Sequence, residues 1–209
     1  NLHIRKFREM IGVWEEAGTT SPSVKTAETS LFAHNGYVYV AFSDPDKGYK
    51  LRVIKYNQYD VSGWVNVGSS SGFSISNAYS PSVFVYDGTP YIAFRDTGNS
   101  GRVSVMKYEA AAWSYVGSST FSNTNCDSIS LFVHSGTPFV AYKDGGRGNT
   151  VTVARNKTGV WEIVGYDISA GEAEFVDLSY DTAAQMPYVI FRDATASLKA
   201  TVMRYTGSY

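Results

Sequence analysis

Cysteine is almost missing from this chain: Cys126 is the only one among 209 residues, so no intrachain disulfide can form and a small cross-linked scaffold is excluded. Long apolar runs are missing too. No stretch approaches the roughly eighteen residues of a membrane-crossing helix, and the first ten residues, NLHIRKFREM, carry no apolar signal core. That leaves either a cytosolic chain or one whose leader has been removed. Charge of one sign is missing: the formal balance is -1 with acids and bases mixed, which gives no basic stripe for nucleic acid and no polybasic arm for a membrane surface. Histidine is scarce at three residues, and proline is scarce at six, several of them at related places such as Pro90, Pro138 and Pro187. Nothing matches a nucleophile elbow, a phosphate loop or a zinc motif.

What is present is a repeat. The stretch from Pro81 to Asp96, PSVFVYDGTPYIAFRD, reads as two strands around an Asp87-Gly88 turn, because Asp-Gly supplies the positive φ values that tight hairpins need. It recurs as TSLFAHNGYVYVAFSD (29–44), ISLFVHSGTPFVAYKD (129–144) and VDLSYDTAAQMPYVIFRD (176–193). A third apolar run follows each copy (LRVIKY, RVSVMKY, TVTVARN, KATVMRY), and a fourth with tryptophan follows three of them (GWVNVG, WSYVG, WEIVG). Four strands per repeat make an antiparallel meander, and a period of roughly fifty residues is that of a propeller blade. In the second strand both parities are apolar, Tyr91 and Ala93 on one side and Ile92 and Phe94 on the other, so the sheet must be covered on both faces. Small polar residues at Ser30, Ser82 and Ser130, with Asp177 in the last copy, suit a crowded axis where first strands converge.

The expected fold is therefore all-β, a single domain over 1–209: a β-propeller of four blades, five being the alternative, with each blade a four-stranded antiparallel sheet. The copies span about 29–68, 80–117, 128–165 and 176–206, with 3–18 left over. HIRKF resembles a third strand and GVWEEAG a fourth, with Trp14 in the tryptophan position. The last blade is expected to be closed by this N-terminal strand, which removes two open edges. The alternative is a segment of a larger ring or one that assembles with another chain.

The strings GTPYIAFRD, VMKY, WSYVG and the Phe-Ser pairs at 73–74 and 121–122 resemble a class of bacterial tandem-repeat β-propellers found in large surface or secreted proteins. The resemblance covers nearly the whole chain and implies an extracellular or cell-surface location and a binding role. In size the ring is similar to four-bladed hemopexin-like or five-bladed tachylectin-like propellers, whose blade motifs are not otherwise present.

A residue found in every copy first suggests blade architecture, whereas chemistry needs residues that break the symmetry. His34 and His134 align with Tyr86 in a hairpin turn, which argues against a metal pair. Trp64, Trp113 and Trp161 read as inter-blade packing. Cys126 has no repeated basic neighbour to activate it. Glu172 and Glu174 do break the pattern, as a carboxylate pair for glycoside hydrolysis or as solvated linker acids. Asp44, Asp96, Asp144 and Asp193 end every second strand, where each can cap the following turn or meet a ligand. Strand direction brings them to one rim with the variable second-to-third loops and with Lys47, Arg95, Lys143, Arg147 and Arg192. These nine residues form the expected ligand-binding set. The expected function is a non-catalytic binding module, not an enzyme, without cofactor or metal, recognising glycan or protein on this rim. A structural or assembly domain is the alternative, and further domains or copies of itself are possible partners.

Overall fold

A computed structural model describes residues 2–17, 24–57, 59 and 63–206. Its strands fall into five sheets. A two-stranded hairpin comes first, β1 (Arg5–Arg8) and β2 (Val13–Glu16). Blade one holds β3 (Thr29–His34), β4 (Tyr37–Asp44), β5 (Lys50–Asn57) and β6 (Trp64–Asn66). Blade two holds β7 (Ala78–Tyr86), β8 (Thr89–Asp96), β9 (Arg102–Glu109) and β10 (Ala112–Tyr115). Blade three holds β11 (Asp127–His134), β12 (Thr137–Asp144), β13 (Thr150–Lys157) and β14 (Val160–Gly165). Blade four holds β15 (Ala173–Asp181), β16 (Met186–Asp193) and β17 (Lys199–Arg204). All pairings are antiparallel between strands consecutive in the chain, and the four blades are arranged as a β-propeller.

Local chemistry explains the meander. Asn35-Gly36, Asp87-Gly88 and Ser135-Gly136 place both turn residues at positive φ, the geometry whose twist matches that of the flanking strands. The second strands of blades one to three are buried on both faces, with Tyr39, Val40, Ala41 and Phe42 in blade one and Tyr91 to Phe94 in blade two all inside, whereas in blade four Ile190 of the second strand is exposed, against the expectation of cover on both sides. The aromatic two residues before each terminal aspartate, Phe42, Phe94, Tyr142 or Phe191, is almost wholly buried, which stabilises the fold by roughly 1.5–3 kcal/mol apiece.

The core is a series of seams between blades. Ala41 and Val53 of blade one pack with Val83 and Phe94 of blade two; Ala93 and Val105 pack with Leu131 and Tyr142; Ala141 and Val153 pack with Leu178 and Phe191. Tryptophan fastens the outer edge of a seam. Trp113 donates Nε1–H to the Val67 carbonyl of the preceding blade at 2.9 Å and stacks on Phe73 at 4.3 Å; Trp161 donates to Val116 at 2.7 Å and stacks on Phe121 at 4.1 Å. At the axis the small polar residues bridge neighbouring first strands. Ser30 Oγ accepts from Val83 N–H at 3.0 Å, Ser82 Oγ from Leu131 N–H at 2.9 Å and Ser130 Oγ from Leu178 N–H at 3.0 Å.

Closure differs from expectation. β17 is hydrogen-bonded to β16, while β2 pairs with β1 and leaves blade four three-stranded. The register gives the reason: Phe7 faces Trp14 and Arg5 faces Glu16, as Tyr56 faces Trp64 and Ile54 faces Asn66 in blade one. Trp14 thus already has its third strand, one short turn away, and a local hairpin closes with less entropy lost than pairing with the far end of the chain. The hairpin docks on blade one, where Leu2, Ile4 and Ala17 pack against Val40, Phe42 and Ile54, and Trp64 Nε1–H reaches the Ala17 carbonyl at 3.1 Å. First strands pack in the order β3, β7, β11, β15, with no comparable packing between β15 and β3 among the described residues.

Candidate functional site

The loop rim is a continuous hydrogen-bonded edge, because each inter-blade linker is bonded to the second-to-third loop of the blade before it. Ala78 N–H donates to Tyr49 O at 3.0 Å, Cys126 N–H to Gly101 O at 2.9 Å and Ala173 N–H to Asn149 O at 3.0 Å. Ser74, Ser122 and Ser169 lock the same linkers: each Oγ accepts from the N–H of Leu51, Val103 or Val151 at 2.8–3.0 Å. Phe73 and Phe121 of these linkers lie under the next blade's indole and so face the seam.

The four aspartates do reach this rim, with their carboxylates engaged inside the fold. Asp44, Asp96, Asp144 and Asp193 are buried. One oxygen of each caps the following turn, accepting from Asp46, Gly98, Gly146 or Thr195 N–H at 2.9–3.1 Å. The other oxygen is also taken in three of them, by Arg52 at 2.7 Å for Asp44, by Ser104 at 3.1 Å for Asp96 and by Asn123 at 3.1 Å for Asp144. In Asp193 the Thr195 hydroxyl and backbone N–H hold the carboxyl below its ordinary value, since both donate to the ionised form. The rim cations are more open. Lys47 and Arg147 are exposed, and Arg147 meets Asp167 at 3.2 Å and lies 4.2 Å over the Tyr166 ring. Lys143 pairs with Glu172 at 3.5 Å, and Arg192 pairs with Glu174. Glu174 lies within β15 opposite Arg192, so it is a strand residue in an ion pair and not a solvated linker acid.

A group of side chains that sequence reading did not single out stands at the rim end of the first strands. Ser80 is the extra residue of a β-bulge in β7, at φ +49°, so its N–H is released from the ladder. That N–H donates to Glu28 Oε2, and its hydroxyl donates to Asp127 Oδ1. Residues before β3, within β7 and at the start of β11 thus bring two carboxylates from blades one and three onto one serine of blade two. Arg95 stands 3.8 Å from Asp127 Oδ2 and 5.0 Å over the Tyr79 ring, and Tyr79 lies 5.8 Å from Tyr49. The available signal was weak: Glu28 and Ser80 are fifty-two residues apart in no motif.

Between blades two and three is a separate polar cleft of about 350 Å³ lined by Arg102, Asn123, Tyr142, Asp144, Arg147 and Tyr166 among others. The Tyr142 hydroxyl is buried there with no hydrogen-bond partner, and burial pushes its pKa up. Cys126 packs in the same seam, where burial pushes the thiol up to about 11 and so disfavours the reactive thiolate. His34 and His134 end first strands on the opposite rim, where His134 stacks on Tyr180 at 4.3 Å. Among the described residues there is no cluster of three or more His, Cys, Asp or Glu suited to a metal ion and no helix long and apolar enough to cross a membrane.

No protein-family model and no curated protein sequence matches the chain. Solved structures do. An exo-β-1,3-galactanase from Phanerochaete chrysosporium bound to β-1,3-galactotriose superposes with a TM-score of 0.55 at 14% identity, over 85% of this chain and 46% of that one. The Bacteroides ovatus xyloglucan protein GH43B gives 0.51 at 14%, over 93% and 45%. The six-bladed fucose-binding lectin of Aleuria aurantia gives 0.62 at 12%, over 93% and 64%. The chain therefore spans less than half of the first two and under two thirds of the lectin. At these identities the likeness establishes a propeller fold. It also corrects the expectation of a non-catalytic module that is not an enzyme: an intact blade repeat does not argue against catalysis when a galactanase shares the arrangement.

Proposed function

We propose that the chain is a carbohydrate-active propeller that takes a glycan at the loop-rim end of its axis and hydrolyses a glycosidic bond there. The observation that carries the reading is the pair Glu28 and Asp127 held on Ser80, two carboxylates from different blades facing one position. Glycoside hydrolysis needs such a pair. One carboxyl donates its proton to the leaving oxygen as the C–O bond breaks; the other, as carboxylate, takes a proton from the water whose oxygen attacks the anomeric carbon. In this reading Asp127, which has Arg95 at 3.8 Å, takes the base role and Glu28 the acid role. Tyr79 and Tyr49 offer ring faces for a sugar, and the polar cleft between blades two and three, with the Tyr142 hydroxyl and Arg147, offers polar contacts for a glycan. Lys47, Lys143 and Arg192 are proposed outer contacts. The buried aspartates would act mainly by holding the loops that carry them.

The β-1,3-galactotriose bound by the galactanase supports this class of ligand, and β-1,3-galactan oligosaccharides are the first substrates to try. With the reading go an extracellular or cell-surface location and a place among the tandem-repeat propellers that the blade motifs resemble. The test is a panel of chromogenic glycosides and oligosaccharides with the wild-type chain, Glu28→Gln and Asp127→Asn. Turnover is expected to fall by roughly 10²-fold or more in each variant with little change in melting temperature. Turnover that survives both changes, or its absence across the panel, would overturn the assignment.

A further inference from the structure

We infer that the cleft between blades two and three is a binding site for the carboxylate of an acidic sugar, with Arg102 as its cation and the Tyr142 hydroxyl as a second donor. That the ligand is a sugar rests on the carbohydrate reading above; its charge follows from the cleft. The cavity exists because blade three departs from its neighbours. At the equivalent place in blade one, Arg52 of the third strand donates to Asp44 Oδ2 at 2.7 Å and to Asn66 of the fourth strand at 3.0 Å. In blade two, the fourth-strand Tyr115 brings its hydroxyl 3.3 Å from Asp96 Oδ2, with Ser104 at 3.1 Å. The register puts Thr152 and Ile163 of blade three at these two places. Thr152 reaches Asp144 Oδ2 at 3.2 Å with a short side chain and Ile163 offers no polar group, so about 350 Å³ remains open beside Asp144.

Two side chains in the wall are unsatisfied, and both break the repeat. Tyr142 stands where the other blades have Phe42, Phe94 and Phe191, and its hydroxyl is buried with no hydrogen-bond partner. A hydroxyl left in that state costs stability that phenylalanine does not, so it calls for a partner from outside the fold. Arg102, opposite Asp96, stands where Lys50 and Thr150 stand in the blades on either side. Its Nε is buried without a hydrogen-bond partner, and among the described residues no carboxylate pairs with it. The other charges of the cleft are engaged. Arg147 meets Asp167 at 3.2 Å, while one oxygen of Asp144 caps its turn and the other accepts from Asn123 and Thr152. Arg102 is thus the cation of the wall that lacks a counter-charge, and a carboxylate supplies two oxygens, one for the guanidinium fork and one for the phenol. Ile163 and Tyr166, both exposed, offer apolar surface to the C–H face of a sugar ring. A volume near the lower end of the roughly 300–1,000 Å³ usual for ligand pockets suits a single ring.

The experiment is calorimetric titration of D-galacturonic acid into the full chain, with D-galactose, a sulfated galactose and acetate as comparison ligands. Galacturonate is expected to bind saturably, and roughly tenfold or more tightly than each of the others. Arg102→Met keeps the length of the stem, and Tyr142→Phe restores the residue of the other blades. Each should weaken binding by roughly tenfold, as for loss of a hydrogen bond to a charged group. Tyr142→Phe should also leave the melting temperature unchanged or higher, since it removes an unpartnered hydroxyl; a lower one would overturn the hydroxyl's role. Absence of galacturonate binding, galactose bound equally well, or binding that survives both variants overturns the inference. So does equal binding of acetate or of the sulfated sugar, which would make the cleft a general anion site. The readout is binding and not turnover, which separates the two proposals: a chain that hydrolyses glycosides but ignores galacturonate sinks only this one, and a chain that binds galacturonate but hydrolyses nothing sinks only the hydrolytic role of Glu28 and Asp127.

Discussion

Val105 and Val202 hold the same place in the third strand of their blades, yet one is 1% exposed and the other 61%. The difference lies outside either blade: Val105 is pressed against the first strand of blade three, whereas among the described residues no first strand covers the corresponding face of blade four. Tryptophan tells the same story. Trp113 is stacked and hydrogen-bonded by the preceding blade, while Trp14, in the equivalent strand, is 64% exposed. In a radial array, then, the repeat supplies an apolar residue on both faces of every blade, and the neighbouring blade decides whether that residue stabilises anything.

The sharpest way to break this comparison is at tryptophan. Trp113→Ala should cost roughly 3 kcal/mol in urea unfolding, the low end for a large aromatic because its indole is only partly buried, while Trp14→Ala stays within about 0.5 kcal/mol. Equal costs would mean that the seam is not what holds the indole. Next in size is the valine pair. Val105→Ala is expected to lose about 2 kcal/mol through two buried methyl groups and the cavity they leave, and Val202→Ala nearly nothing. A large loss at Val202 would show that its face is covered in solution.

The smallest effect is a pH dependence in blade four. Because Asp193 has its folded pKa depressed by Thr195, its contribution is fully present above the ordinary carboxyl value and is lost as pH falls through the depressed one. Melting followed from about pH 5 down to pH 2 should show this contribution vanish below about pH 4, and Asp193→Asn should remove that part of the slope. An unchanged acid profile in the variant would mean that the Thr195 contacts do not distinguish the two protonation states.

Much of the fold was legible because each blade is specified by local signals: Asp87-Gly88 and its counterparts turn the chain, and alternation without a polar face calls for cover on both sides. The serines at 30, 82 and 130 were readable as axis residues from size and polarity, though not as acceptors for the next blade's N–H groups. The candidate site was far less legible. Glu28 and Asp127 lie in no repeated motif, and both reach Ser80 only because a bulge turns it toward them. The four rim aspartates were visible for the opposite reason, being in every copy, and that regularity reflects the turns they cap.

Sequence by itself determined the blade strands, their order, the hairpin turns and the pairing of Trp64, Trp113 and Trp161 with their third strands, since all of these depend on residues near one another along the chain. Tertiary structure alone decided where the N-terminal hairpin sits, which tryptophans are buried and that Ser80 holds both Glu28 and Asp127. Those outcomes depend on the close packing of blades, where a bulge of one residue or a face covered or left uncovered by a neighbour changes what a side chain touches without altering the strand that carries it.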